Sequence, residues 1–383
     1  MHPIPGLRPI ESPDRHKLRP VTSQSEPLLR PQNGGLYCSA GDFFIDPLRP
    51  VERAVITHAH SDHARRGHEV YFAARPGVEI LERRVGTKKT TPAIHGLEWG
   101  EPVRFDSVEV TLHPAGHMLG SAQIRVESDA PEHDVWVVSG DYKRADDPTC
   151  DPFEPVPCDV FVTEATFGLP IYQWDEPAQI FKQIREWWLD NREAGRPSVL
   201  CAYSAGKAQR ILAGLTEWTD DRALIHGAMV EYCDIYEAAG IPLLPTEYVT
   251  DMDPDTDFAG ELILAPPSAF GSSWMDRFDA ARTGFASGWM QVRGIRRRRG
   301  YDAGFVLSDH IDWPALLKTI EQTGARRVLA THGKTDPLIR FLREERDLDA
   351  WDLDDAFGAD GPYPEGADIG WEASEDGVGG GES

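Results

Sequence analysis

Long hydrophobic runs are missing from this sequence. No stretch of its 383 residues approaches the ~20 consecutive apolar residues that a bilayer-spanning helix needs. The opening residues carry prolines and charges and lack the apolar segment of a secretory leader, so a cytoplasmic location and no membrane are expected. Cysteine is scarce. Cys38, Cys150, Cys158, Cys201 and Cys233 are scattered and form no C-x-x-C pair. That spacing excludes a cysteine zinc ribbon and fits a reducing compartment. The phosphate-cradling pattern G-x-x-x-x-G-K-[ST] is absent, so ATP is not expected. Positive charge is in deficit: the net charge is −24, which taken alone argues against a polyanionic partner.

What remains is enough for packed cores. Apolar residues make up 40% of a chain long enough for two domains. The charge is unevenly placed. Residues 1–25 are rich in proline and charge and read as a flexible arm. Residues 347–383 are acidic and poor in aliphatics, and read as a disordered tail. Arg296, Arg297, Arg298 and Arg299 form the densest basic cluster. Arginine outnumbers lysine, and with the acidity this suits a salt-adapted host.

The centre of the chain is Thr57-His58-Ala59-His60-Ser61-Asp62-His63, an H-x-H-x-D-H pattern. It follows Ala54-Val55-Ile56, a β-branched run that reads as the end of a buried strand. His58 and His60 share one side of an extended segment and can share one metal. Asp62 and His63 come after a turn and can face a second. Imidazole with carboxylate suits zinc or a similar ion. Further candidates follow at later strand ends. His117 lies between glycines, Asp141 follows Val135–Val138, and Glu164 follows Val160–Thr163. Leu36–Cys38 with Phe43–Ile45, and Val103–Phe105 with Val108–Leu112, read as hairpins; Asp46 and Pro47 stop the first. From Trp174 strand and helix alternate, the signature of a parallel α/β unit. After the arginines a strand over Gly304–Leu307 ends at Ser308-Asp309-His310, and another over Arg327–Ala330 ends at Thr331-His332-Gly333.

Taken together, these motifs resemble the metallo-β-lactamase fold, and Glu164, His310 and His332 in their local sequences resemble motifs of its β-CASP nucleases. Phe44–Pro47 with Arg49–Val51, Gly288–Met290 with the arginines, and Ser308–His310 with Asp312-Trp313 are most similar to the bacterial ligase-associated DNA exonucleases. The resemblance implies an α/β protein: an αββα sandwich from residues 26–173 and 304–346, with a parallel β-CASP domain inserted at 174–303. It implies two divalent metal ions, zinc or else manganese. His58, His60 and His117 would hold one, Asp62, His63 and His332 the second, with Asp141 bridging and Asp46 fixing a histidine tautomer. Hydrolysis of a phosphodiester by metal-activated water would use His310 as general acid, oriented by Glu164, with Asp62 and Asp141 serving the chemistry.

The expected substrate is DNA in preference to RNA, and the expected partner a DNA ligase. Lys207, at the start of a helix, and Arg296–Arg299 are the expected phosphate contacts. Trp289 and Tyr301 flank the arginines and can stack bases, or else pack in a core. An RNA-processing nuclease is the first alternative. A silent scaffold would have lost metal ligands, and all seven positions are kept. A small-molecule hydrolase would not need the insertion.

Overall fold

The structure is a computed structural model describing residues 27–86, 92–131, 133–253, 255–294 and 300–357. The expected N-terminal arm and the Arg296–Arg299 cluster lie outside the described residues.

The first sheet forms in chain order from β1 (Arg30–Gln32), β2 (Gly35–Cys38), β3 (Phe43–Ile45), β4 (Arg53–Val55), β5 (Val70–Ala74) and β6 (Ala93–Leu97). Its first three strands are antiparallel and the rest parallel. Helix α1 (Val78–Val85) crosses over between β5 and β6. Its Ile80 and Leu81 cover the outer face of this sheet at Ala54, Ile56 and Tyr71.

The second sheet starts as an antiparallel meander of β7 (Val103–Phe105), β8 (Val108–Pro114) and β9 (Ala122–Ser128), continued by β10 (Trp136–Val138) and β11 (Val160–Ala165). The inner faces of the two sheets meet in one core. Leu36, Phe43, Ile45 and Val55 pack there with Val110, Ile124, Val138 and Val162. Alternation along β3 shows why: Phe43 and Ile45 are buried while Phe44 between them is half-exposed.

The chain then leaves for a third sheet. Helix α2 (Pro177–Glu193), β12 (Ser198–Cys201), α3 (Lys207–Leu215), β13 (Ala223–Ile225), α4 (Gly227–Ala238), β14 (Thr246–Tyr248), β15 (Leu262–Ala265), β16 (Arg282–Ala286) and β17 (Ala303–Phe305) build it. Its order is β14-β13-β15-β12-β16-β17, parallel throughout. β17 pairs with β16 here, so the inserted unit runs to Phe305 and does not stop at 303. The β17 run pointed to a strand, but only pairing could say in which sheet.

On return, α5 (Trp313–Thr323), β18 (Arg327–Gly333), α6 (Asp336–Arg346) and β19 (Asp349–Asp352) complete the second sheet in the order β19-β18-β11-β10-β9-β8-β7. Helix α5 has the sequence of a well-bounded helix. Asp312 caps it by accepting from Ala315 N at 3.0 Å, proline occupies the first turn, and Gly324 ends it at φ 66°. Leu316, Ile320, Leu338 and Leu342 of α5 and α6 close the outer face of the second sheet over Val137, Phe161 and Val328. The αββα sandwich is complete. The expected disordered tail from 347 is corrected over its first residues. β19 pairs in parallel with β18, with Ala350 fully buried against the α6 side and Leu348 and Leu353 packed on the sandwich cores, apolar anchors in an acidic stretch.

Candidate metal centre

Parallel strands running the same way bring their carboxyl ends to one rim, and that is where the titratable residues collect. The loop after β4 carries Thr57 to His63, the β8–β9 loop carries His117, the end of β10 leads to Asp141, and β11 carries Glu164. Two backbone features make the convergence possible. Gly140 sits at φ 56°, and a Cβ there would stand 2.7 Å from Thr57 Cβ, so only glycine lets the β10 loop close on the histidine loop. His332 itself sits at φ 57°, at a break in register where Glu164 pairs with Thr331 and Ala165 with Gly333. His332 is the extra residue of that bulge, and the bulge turns its ring into the cleft.

Asp46 anchors the histidine loop. Its carboxylate accepts from Thr57 N at 2.8 Å, from Thr57 Oγ1 at 2.5 Å and from His63 Nδ1 at 2.8 Å. Since the Thr57 hydroxyl proton goes to Asp46, its oxygen accepts from His58 Nδ1 at 3.2 Å. His60 Nε2 donates to Ala205 O at 3.2 Å, and His117 Nδ1 donates to Asp309 O at 2.9 Å. Each ring thus carries its proton on the outward nitrogen. The inward nitrogens, His58 Nε2, His60 Nδ1 and His117 Nε2, then face one another as lone pairs at 3.1 Å. That arrangement is repulsive, and a shared cation relieves it.

Asp141 stands between two groups. Its Oδ2 is 3.4 Å from His58 Nε2 and 3.6 Å from His63 Nε2. His58, His60, His117 and Asp141 form one set of ligand atoms within 4.8 Å of each other, Asp62, His63 and His332 a second, and Asp141, Glu164 and His310 a third. Within these sets Asp62 Oδ1, His63 Nε2, Asp141 Oδ1 and His332 Nδ1 are buried without a hydrogen-bond partner among the described residues. Buried polar atoms are seldom left so. Four of them aimed at one place fit metal ligation.

The electrostatics agree. Burial, then the neighbouring rings, hold His58 and His117 well below the usual imidazole pKa, so both are neutral ligands. Burial opposes ionisation of Asp141, but His310 and His63 outweigh it and hold the carboxyl well below its usual range. Burial likewise opposes a charge on His63, yet Asp62 and Asp141 carry its pKa well above normal. Such a pile of charge of both signs is what two dications would replace.

Beside this centre, His310 Nδ1 donates to Glu164 Oε2 at 2.8 Å, and Glu164 Oε1 accepts from Tyr142 N at 2.8 Å. His310 Nε2 is left for the cleft that the ring lines. Burial lowers the pKa of His310, but Glu164 and then Asp141 push it up to about 9. The ring is 3.9 Å from Asp141 Oδ2, so a cation held there would draw that value back down.

The cleft encloses about 280 Å³ between the sandwich and the third sheet. Lys207 lines it but is 3% exposed, and its ammonium lies 2.7 Å from both Leu307 O and Asp309 Oδ2. Expected as an open phosphate contact, it is instead engaged within the protein, because all of α3 is buried. Trp289 lines the cleft and packs on Phe167 with ring centroids 4.8 Å apart, whereas Tyr301 stacks on Phe285. Sequence reasoning passed over Arg65, which lines the cleft with its Nε buried and unpartnered. Its position two residues after His63 was the available signal. It also passed over Asp352 and Asp354, which β19 delivers to the cleft wall.

A fold of this kind with this site defines a class: the chain is similar to the β-CASP group of metallo-β-lactamase-fold proteins. No protein-family model matches it. It is 31% identical over 318 residues, 83% of its length, to a protein of Opitutus terrae named probable DNA ligase, of which it covers 30%. It is 27% identical to the transcription termination factor FttA of Methanosarcina mazei over 54% of this chain and 37% of that one. It is also 27% identical to a ribonuclease of Thermus thermophilus over 44% of each chain. The chain thus spans about a third to under half the length of these curated relatives.

Proposed function

We propose that the protein is a metal-dependent phosphodiesterase that degrades nucleic acid, and specifically a DNA exonuclease that works in repair beside a DNA ligase. The observation that carries the reading is the Asp141 carboxylate, 3.4 Å from His58 Nε2 and 3.6 Å from His63 Nε2, with the Glu164–His310 pair alongside. His58, His60 and His117 would hold one cation, Asp62, His63 and His332 a second, and Asp141 both. When bound, two such ions, zinc or manganese, supply an activated water and offset charge on the attacking and departing oxygens.

The remaining work belongs to the chain. Glu164 fixes the proton of His310 Nδ1 and so points a second proton, on Nε2, at the cleft. As the P–O bond to the departing oxygen breaks, that proton neutralises it, and the water's oxygen remains on phosphorus. Arg65 offers a guanidinium to a non-bridging phosphate oxygen. Trp289 and Phe167 offer aromatic surface to a base. A narrow cleft between two units admits a strand end more readily than the interior of a duplex.

The relative named probable DNA ligase, matched over most of this chain, supports DNA and a ligase partner. The relatives named as ribonucleases, matched over shorter stretches, favour a second reading in which the substrate is RNA. Digestion of matched, end-labelled single-stranded DNA and RNA separates the two. Preferential shortening of DNA from one end is expected; cleavage of RNA alone sinks the repair reading. Full activity of Asp141→Ala would sink the chemistry itself.

A further inference from the structure

The third sheet's unit reaches into the sandwich through an ion network. Helix α3 contributes Lys207 and Arg210, 3% and 2% exposed. Arg210 Nη1 donates to Asp309 Oδ1 at 2.7 Å and to Ser308 O at 2.6 Å, while Lys207 Nζ holds Asp309 Oδ2 and Leu307 O. On its other side Arg210 Nε lies 3.1 Å from Asp147 Oδ2, and Lys143 of the sandwich pairs with the same carboxylate. Burial opposes the charge on Asp309, yet Lys207 and Arg210 keep it ionised.

The network ends on the metal centre. Asp309 O, between the anchored Ser308 and Asp309 side chain, is the acceptor for His117 Nδ1. The turn just before α3 supplies Ala205 O, the acceptor for His60 Nε2. Gln209 pins that turn, accepting from Gly206 N at 2.8 Å and donating to Ser204 O at 3.0 Å. Two of the three histidines of one ligand set are therefore oriented by carbonyls that α3 positions. In the second set, among the described residues, His63 is oriented instead by Asp46 of the sandwich.

We propose that Arg210, with Lys207, is a positioning residue for the metal centre. It holds the Ser308-Asp309 main chain so that the His117 ring presents Nε2, and the inserted unit thereby completes the site of His58, His60, His117 and Asp141 but not that of Asp62, His63 and His332. The proposal rests on the metal-centre reading above. Partners that fix a ligand's tautomer typically account for 10- to 100-fold in metal affinity.

The test is titration of the chelator-stripped full chain with cobalt(II), followed by its visible absorption. In a His332→Ala background, Arg210→Met is expected to weaken cobalt binding roughly 10- to 100-fold. In a His60→Ala background the same change is expected to leave affinity within about twofold. Equal weakening in both backgrounds, or unchanged affinity beside a lowered melting temperature, overturns the proposal by making Arg210 merely structural. Should Arg210→Met not fold, Arg210→Lys keeps the charge and gives up one of the paired contacts; a smaller loss confined to the His332→Ala background is then expected, and no difference between backgrounds overturns it. If the wild-type chain itself binds no cobalt, the metal-centre reading fails first, so the two failures are told apart.

Discussion

His310 is a side chain whose two nitrogens have separate duties. Nδ1 is tied to Glu164, and Nε2 faces the cleft. His310→Ala should lower kcat roughly 100- to 10,000-fold, the usual range for a lost general acid. Metal content by mass spectrometry should stay at the wild-type level, since His310 Nδ1 is tied to Glu164 and the ring lies outside the two sets assigned to the cations. A parallel loss of metal would make His310 a ligand instead of an acid. Arg65 makes a different prediction. If its guanidinium takes a phosphate, Arg65→Met removes a charged hydrogen bond of about 1.5–3 kcal/mol. KM for the nucleic acid should then rise about ten- to a hundredfold with kcat little changed. The histidines of the H-x-H-x-D-H pattern were legible because three rings and a carboxylate that close in sequence can hardly avoid meeting. Arg65 was not, because an arginine beside a motif looks like any solvated arginine until its surroundings are known.

At the scale of elements, the site depends on loops that approach within van der Waals contact. Gly140→Ala places a methyl group 2.7 Å from Thr57 Cβ and asks for φ 56° from a residue with a side chain. A strain of about 1–3 kcal/mol is expected, and it acts on Thr57, which Asp46 and His58 both use. Metal affinity in a zinc titration should fall together with thermal stability. An affinity equal to wild type would show that the β10 loop moves away without disturbing Thr57. Most strands and helices were readable, since buried strands are β-branched runs and α5 has its cap, its proline and its final glycine. β19 was not. Its residues are acidic and its pattern too short; Ala350, with Leu348 and Leu353 on either side packed against the sandwich, turns it into an edge strand.

For the molecule as a whole, charge and cofactor set the conditions of stability. A net charge of −24 on a compact chain is self-repulsive. In molar salt the screening length shrinks to ~3 Å, so the melting temperature should rise with salt. A flat or falling curve would count against salt adaptation. Cations bound by the folded state alone add stability by mass action, about 2.7 kcal/mol at a hundredfold excess over Kd. A chelator should therefore lower the melting temperature, and zinc restore it; identical melting with and without chelator would mean the ligand sets are not filled. Among the described residues no helix is long and apolar enough to cross a membrane.

By itself the sequence determined the residue types gathered at the candidate site and the kind of scaffold around it. Ligand type and the polar residues at strand ends are local properties, written in residues a few positions apart. Tertiary structure decided what depends on residues far apart in the chain. Asp309 and His117 are separated by 192 positions, and Ala205 and His60 by 145, yet each pair shares a hydrogen bond. No local pattern encodes such pairings: the first joins two distant stretches of the sandwich, and the second exists only where the inserted unit meets it. The histidine cluster is one part of the candidate metal centre; sandwich strand ends add His117, Asp141 and His332, and the insertion adds the carbonyl that orients His60.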